Sequence, residues 1–182
     1  MPLLVLDLHA PLVGDIRGDG DLLRALFGLA PRLAVYLMSF LTLGIFWVGQ
    51  QTQLNNLSDA DRNLTWIHLA FLFAVTVMPF STGLMAEFIH YRTALVIYWA
   101  NILMFGILLL ASWRCAGSAG LVRDEMAPET ARSIECRIIL AQALYAFGAL
   151  LSIFSTIWSI GFIVLVQLNY AAAPKIGALR RL

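Results

Sequence analysis

The chain has 182 residues, 60% of them hydrophobic and 13% charged, with a formal net charge of +1 and a mean hydropathy of +0.82. Soluble domains carry about 45–50% apolar and about 25% charged residues, so a soluble enzyme is excluded: the surplus apolar surface must face lipid or other subunits. The near-zero charge gives no sign of a nucleic acid or other polyanionic partner.

In chain order, residues 1–6 are apolar and end at Asp7-Leu-His-Ala-Pro. This run is too short for the core of a secretory signal and has no basic flank. Six residues of helix reach about 9 Å, so it reads as the tail of a helix whose first half is missing. Gly14, Gly18 and Gly20 alternate with Asp15, Asp19 and Asp21, a loop signal. The sequence from Asp21 to Phe27 reads as a short interfacial helix capped by Asp21.

Four uncharged stretches follow: residues 33–58, 63–86, 93–113 and 138–174. Each of the first three is near the roughly 20 residues that cross about 30 Å of hydrocarbon. The fourth would be about 55 Å long as one helix, beyond any bilayer, so it predicts two helices. Ser152, Ser155 and Thr156 are the best place for the turn. Residues 55–62 form a short polar connection. The segment 116–135 is the longest polar one, with Pro128 starting a helix that runs into the next span.

The expectation is an all-α integral membrane protein with one transmembrane domain over 1–182. Its helices are a partial one over 1–10 and five full spans over about 32–54, 63–88, 93–114, 136–153 and 156–172. Eight of the twelve Lys and Arg residues fall on one side: Arg62, Arg114, Arg123, Arg132, Arg137, Lys175, Arg180 and Arg181. The positive-inside rule makes that side cytoplasmic, with the C-terminus on it, in a multi-pass protein of the inner (plasma) membrane.

No GxSxG, HExxH or Walker A pattern is present, and no catalytic, cofactor or metal site is expected. Cys115 and Cys136 lack CxxC spacing and read as unpaired thiols. His9 and His90 sit at membrane boundaries, and His68 reads as a satisfied interfacial residue one turn inside its span. Asp7 and Glu87 lie at helix ends and no Asp or Glu lies deeper in a span, which argues against a proton-coupled transporter. The polar residues within spans are read as bonds between helices. They are Ser39, Thr42, Gln50, Gln51, Thr76, Ser81, Thr82, Asn101, Gln142, Gln167 and Asn169. Pro79 removes a backbone donor and predicts a kink, with Ser81, Thr82 or a neighbour taking up the freed carbonyl.

Several segments together resemble one family. They are Tyr36-x-x-Ser39-Phe40, Phe46-Trp47, Asn63-Leu-Thr-Trp-Ile-His-Leu-Ala-Phe71-Leu-Phe and Pro79-Phe80-Ser81-Thr82-Gly83. Their order and spacing are similar to those of the prokaryotic transmembrane protein 175 family, potassium-permeable channels related to the lysosomal potassium channel of animals. Leu-Leu-Val-Leu-Asp at residues 3–7, followed by Pro11, resembles the end of that family's first helix. The likeness runs from Leu3 to about Tyr98; later helices match in number and hydropathy only. The family's Arg-x-x-x-Phe-Ser-Asp hallmark is not in this sequence. Where relatives commonly read Trp-x-x-His-His, this chain reads Trp47-Val-Gly-Gln50-Gln51.

The resemblance implies a six-helix bundle with the first helix truncated, four copies forming a homotetramer around one pore, and potassium ions as the permeating species. It implies that the first helix lines the pore, with Leu3 and Leu6 as a hydrophobic constriction. These leucines lie one turn apart on one helix face, as a constriction requires. The alternative expectation is a truncated, non-conducting scaffold or partner subunit in the lipid bilayer.

Overall fold

The computed structural model describes residues 18–123 and 128–172. Among them it is all-helical, apart from one isolated backbone bridge. The six helices are α1 (Asp19–Gly28), α2 (Ala30–Asn55), α3 (Arg62–Glu87), α4 (Arg92–Ser118), α5 (Pro128–Leu151) and α6 (Thr156–Ala172). The partial helix expected over 1–10 lies outside the described residues.

Local chemistry explains most of the ends. α1 begins two residues before the expected start, and Gly18 rather than Asp21 stands at its N-cap, with no side-chain cap bond. Asp19 and Asp21 instead occupy the first turn, where carboxylates complement the helix dipole. α2 starts with Pro31 in its first turn, where a missing N–H costs nothing. α3 is capped by Asp61, whose carboxylate accepts from the Leu64 N–H at 2.7 Å. α4 ends in a Schellman motif: Gly120 has φ of 66°, Leu121 N–H donates to Ala116 C=O at 3.0 Å and Gly120 N–H to Gly117 C=O at 3.4 Å. Glycine takes that left-handed conformation without the strain a Cβ would bring.

α2, α3, α4 and most of α5 are long and apolar enough to cross a membrane. α6 has 17 residues, at the lower edge of spanning lengths. Among the described residues, four helices meet the length and composition of a span outright, and α6 is a shorter apolar helix. α3 runs unbroken through Pro79.

Adjacent helices pack as antiparallel neighbours, α3 on α4, α4 on α5 and α5 on α6, and α6 returns to α2. Aromatic rings tie the core across four helices. Phe46 of α2 lies 5.1 Å from Phe105 of α4 and 6.4 Å from Tyr145 of α5, and Phe71 of α3 lies 5.3 Å from Phe105. Other large rings point outward: Phe73, Phe80, Phe154 and Trp158 are exposed, as expected of a surface that meets lipid.

Both ends of the bundle are pinned. At one end Arg32 pairs with Glu87 at 2.7 Å, joining the start of α2 to the end of α3. At the other, the α2–α3 loop clasps the segment after α4. Leu57 and Val122 form the bridge, Ser58 N–H donates to Leu121 C=O at 2.8 Å, and Arg123 N–H donates to Asn56 C=O at 3.1 Å. Arg114 also pairs with Glu135 there, joining α4 to α5.

Candidate functional site: buried polar groups inside the bundle

Polar side chains in a bilayer have no water to bond, so they find each other or leave a cost. Ser39 and Thr42 on α2, Ser81 and Thr82 on α3, Tyr98 and Asn101 on α4 and Gln167 on α6 are all buried. One assignment uses each hydroxyl proton once. Thr82 donates to Ser39 at 2.7 Å, Ser39 to Tyr98 at 3.3 Å, Tyr98 to Thr42 at 3.0 Å, and Thr42 to the Met38 carbonyl at 2.9 Å. The Gln167 amide donates to Thr42 at 2.6 Å. Asn101 donates to Ser81 at 3.1 Å. The network joins α2, α3, α4 and α6 through groups that carry no charge. It offers no activated nucleophile or acid–base pair; it fixes helix positions.

The polar residues expected to bond between helices divide accordingly. Ser39, Thr42, Ser81, Thr82, Asn101 and Gln167 come together. Gln50 meets His68, with 3.2 Å between the amide nitrogen and Nδ1. His68 is thus satisfied on one nitrogen only, since its buried Nε2 has no partner among the described residues. Thr76 donates to the Phe73 carbonyl within its own helix, and Gln51 and Asn169 are exposed. Sequence reasoning missed Tyr98, the hub. Its signal was a phenol in the middle of an apolar span, which when buried usually finds a partner.

Pro79 leaves the Val75 carbonyl without its helical donor. The Ser81 hydroxyl donates to the Met78 carbonyl at 3.0 Å, and the Thr82 hydroxyl has Ser39 and that same carbonyl within reach, so neither is placed on the freed group as expected. Leu3 and Leu6 lie outside the described residues, as does His9. His90 is exposed, and Cys115 and Cys136 are free thiols. Among the described residues no group of His, Cys, Asp or Glu is placed to hold a metal ion.

A second polar group lines a cleft of about 470 Å³ between α2 and α5. Gln53, Gln142 and Tyr145 are among its lining residues, and each has a buried polar atom without a partner among the described residues.

Comparison with known proteins places the chain. The family model "Endosomal/lysosomal potassium channel TMEM175" matches residues 1–79. A Streptomyces collinus protein named a potassium channel is 34% identical over 88 residues, 48% of this chain and 41% of that one, so the match spans about two-fifths of that relative's length. A Chamaesiphon minutus protein named a potassium channel is 26% identical over 93% of this chain and 85% of its own length. The crystal structure of a lysosomal potassium-selective channel TMEM175 homolog from Chamaesiphon minutus superposes with a TM-score of 0.81 at 23% identity, covering 95% of this chain and 89% of that one. The later helices, which the sequence matched in number and hydropathy only, thus share that fold. The chain is an all-helical integral membrane protein similar to the TMEM175 family over residues 1–79 and sharing the fold of a TMEM175 homolog.

Proposed function

We propose that this chain is a subunit of a potassium-permeable cation channel, not an enzyme, and that it acts in the inner membrane with its C-terminus in the cytoplasm. The observation that carries the reading is the likeness, over 93% of the chain, to a bacterial protein named a potassium channel. In this reading four copies surround one pore, and the N-terminal segment lines it with Leu3 and Leu6. Both leucines fall inside the stretch matched by the family model. Rings of leucine make a narrow apolar neck that a hydrated cation crosses only when the neck is wet, so the constriction sets the conductance. The uncharged network behind it keeps α2, α3, α4 and α6 fixed as a wall.

The test is potassium flux from liposomes holding the purified chain. Flux well above that of empty vesicles is expected. Leu6→Asn should raise it severalfold, because a polar ring wets the neck. Flux equal to empty vesicles overturns the channel reading and leaves the non-conducting scaffold in its place. Flux unaffected by Leu6→Asn overturns the pore assignment alone.

A further inference from the structure

Lipid supplies no hydrophobic force between helices, so membrane helices are held by close packing and by bonds between polar groups. α5 contributes no side chain to the buried network of α2, α3, α4 and α6, yet it turns two polar residues toward its neighbours. Gln142 and Tyr145 stand three positions apart, on one face of the helix. The Gln142 side chain lies on α4 at Gly106, where an added Cβ would overlap its amide. That contact fixes the rotation of α5 and carries Tyr145 into the interior, where it is 0% exposed.

Three observations bring the Tyr145 hydroxyl to Gln167 of α6. The Tyr145 ring lies 6.4 Å from Phe46 on α2. Phe46 is one turn of α2 from Thr42, and Thr42 accepts from the Gln167 amide nitrogen at 2.6 Å. The Gln167 amide is also the side-chain hydrogen-bonding group that acts on the Tyr145 phenol. Gln167 is fully buried as well. Among the described residues its oxygen is an acceptor without a donor, and the Tyr145 O–H is a donor without an acceptor. The two needs are complementary, and inside a span neither group can turn to bulk water. Gln142 also has an unbonded oxygen, but its amide is wedged against the α4 backbone.

We propose that the Tyr145 hydroxyl donates to the Gln167 side-chain oxygen, which makes Tyr145 the positioning residue through which α5 joins the buried network. Rotation of the phenol and the amide brings the two atoms into line. Gln167 then sits at a junction: its nitrogen holds α2 through Thr42, and its oxygen holds α5 through Tyr145. The chain of bonds runs from Thr82 through Ser39, Tyr98, Thr42 and Gln167 to Tyr145, so α2, α3, α4, α5 and α6 share one network. The inference concerns the interior of a single chain and does not depend on ion flux.

Ultraviolet resonance Raman spectroscopy of the full chain in mild detergent tests it. The intensity ratio of the tyrosine ring doublet reports whether a phenol donates a hydrogen bond. Subtracting the spectrum of Tyr145→Phe isolates Tyr145 from the other four tyrosines. A donor signature is expected in the native chain. It should vanish in Gln167→Leu and persist in Gln142→Leu, each compared with the same background carrying Tyr145→Phe. In parallel, Tyr145→Phe should lower the SDS midpoint of the native chain and leave that of Gln167→Leu unmoved. Circular dichroism checks each fold, and Gln167→Met replaces Gln167→Leu should the latter not fold. A free-phenol signature for Tyr145 in the native chain overturns the proposal. So does a donor signature that survives in the folded Gln167 variant, which would place the acceptor elsewhere, or an equal effect of Tyr145→Phe on the midpoint in both backgrounds.

Discussion

Tyr98 shows how one side chain organises the bundle. Its hydroxyl lies within bonding distance of Ser39 and Thr42, and through them it reaches Thr82 and Gln167. Tyr98→Phe removes one oxygen and costs Ser39 and Thr42 one bond each, while Ser39 keeps the Val35 carbonyl and Thr42 the Met38 carbonyl. A buried bond contributes about 0.5–1.5 kcal/mol in general and about 0.6 kcal/mol on average between membrane helices. The variant should fold and lose about 1 kcal/mol, read as a lower midpoint when the protein is titrated with SDS and followed by circular dichroism. An unchanged midpoint would show that the network contributes nothing to stability. Most of this network was legible in the sequence, because Ser39, Thr42, Ser81, Thr82, Asn101 and Gln167 interrupt apolar stretches. Tyr98 was not, since a phenol sits easily in an apolar run and its partners lie 56 and 59 positions away. Gln50 and His68, 18 positions apart, meet only because α2 and α3 fold back on each other. Leu3 and Leu6 rest on resemblance and lie outside the described residues.

Among the helices, the α5–α6 hairpin depends on close approach. A Cβ at Gly148 would stand 2.8 Å from Ile163 and 3.1 Å from Phe162, and Ser159 donates to the Gly148 carbonyl at 2.6 Å. Small residues let membrane helices meet in this way. Gly148→Val should push α6 away at a cost of about 1–3 kcal/mol, measured as a lower temperature at which the detergent-solubilised protein loses its size-exclusion peak. If that temperature holds, the contact is not tight. The reading of residues 138–174 as two helices came from length alone, and the chain turns between Leu151 and Thr156. What length does not reveal is how helices end. The Asp61 cap and the Gly120 stop both had signals, an acid before an apolar run and a glycine after one. The backbone bridge from Leu57 to Val122 had none, because two residues 65 positions apart meet only after the two helices between them have packed.

At the scale of the assembly, the chain presents large rings outward on several helices, and lipid or other copies must cover them. The homotetramer remains a proposal with a direct test. Leu6→Cys in native membranes should crosslink into a ladder reaching four subunits. Monomer at every crosslinker dose would refute both the assembly and the axial position of Leu6. The loop clasp bears on how such a chain is made. Leu57, Ser58, Leu121, Val122 and Arg123 all leave the ribosome before α5 begins, as do Ser39, Thr82 and Tyr98. α2, α3 and α4 can therefore close into a pinned three-helix unit while the last hairpin is still being synthesised. The Gln167 bond, the Arg114–Glu135 pair and the packing of α5 and α6 await the later part of translation. The membrane receives a nearly finished wall first, and the hairpin docks onto a surface already in place.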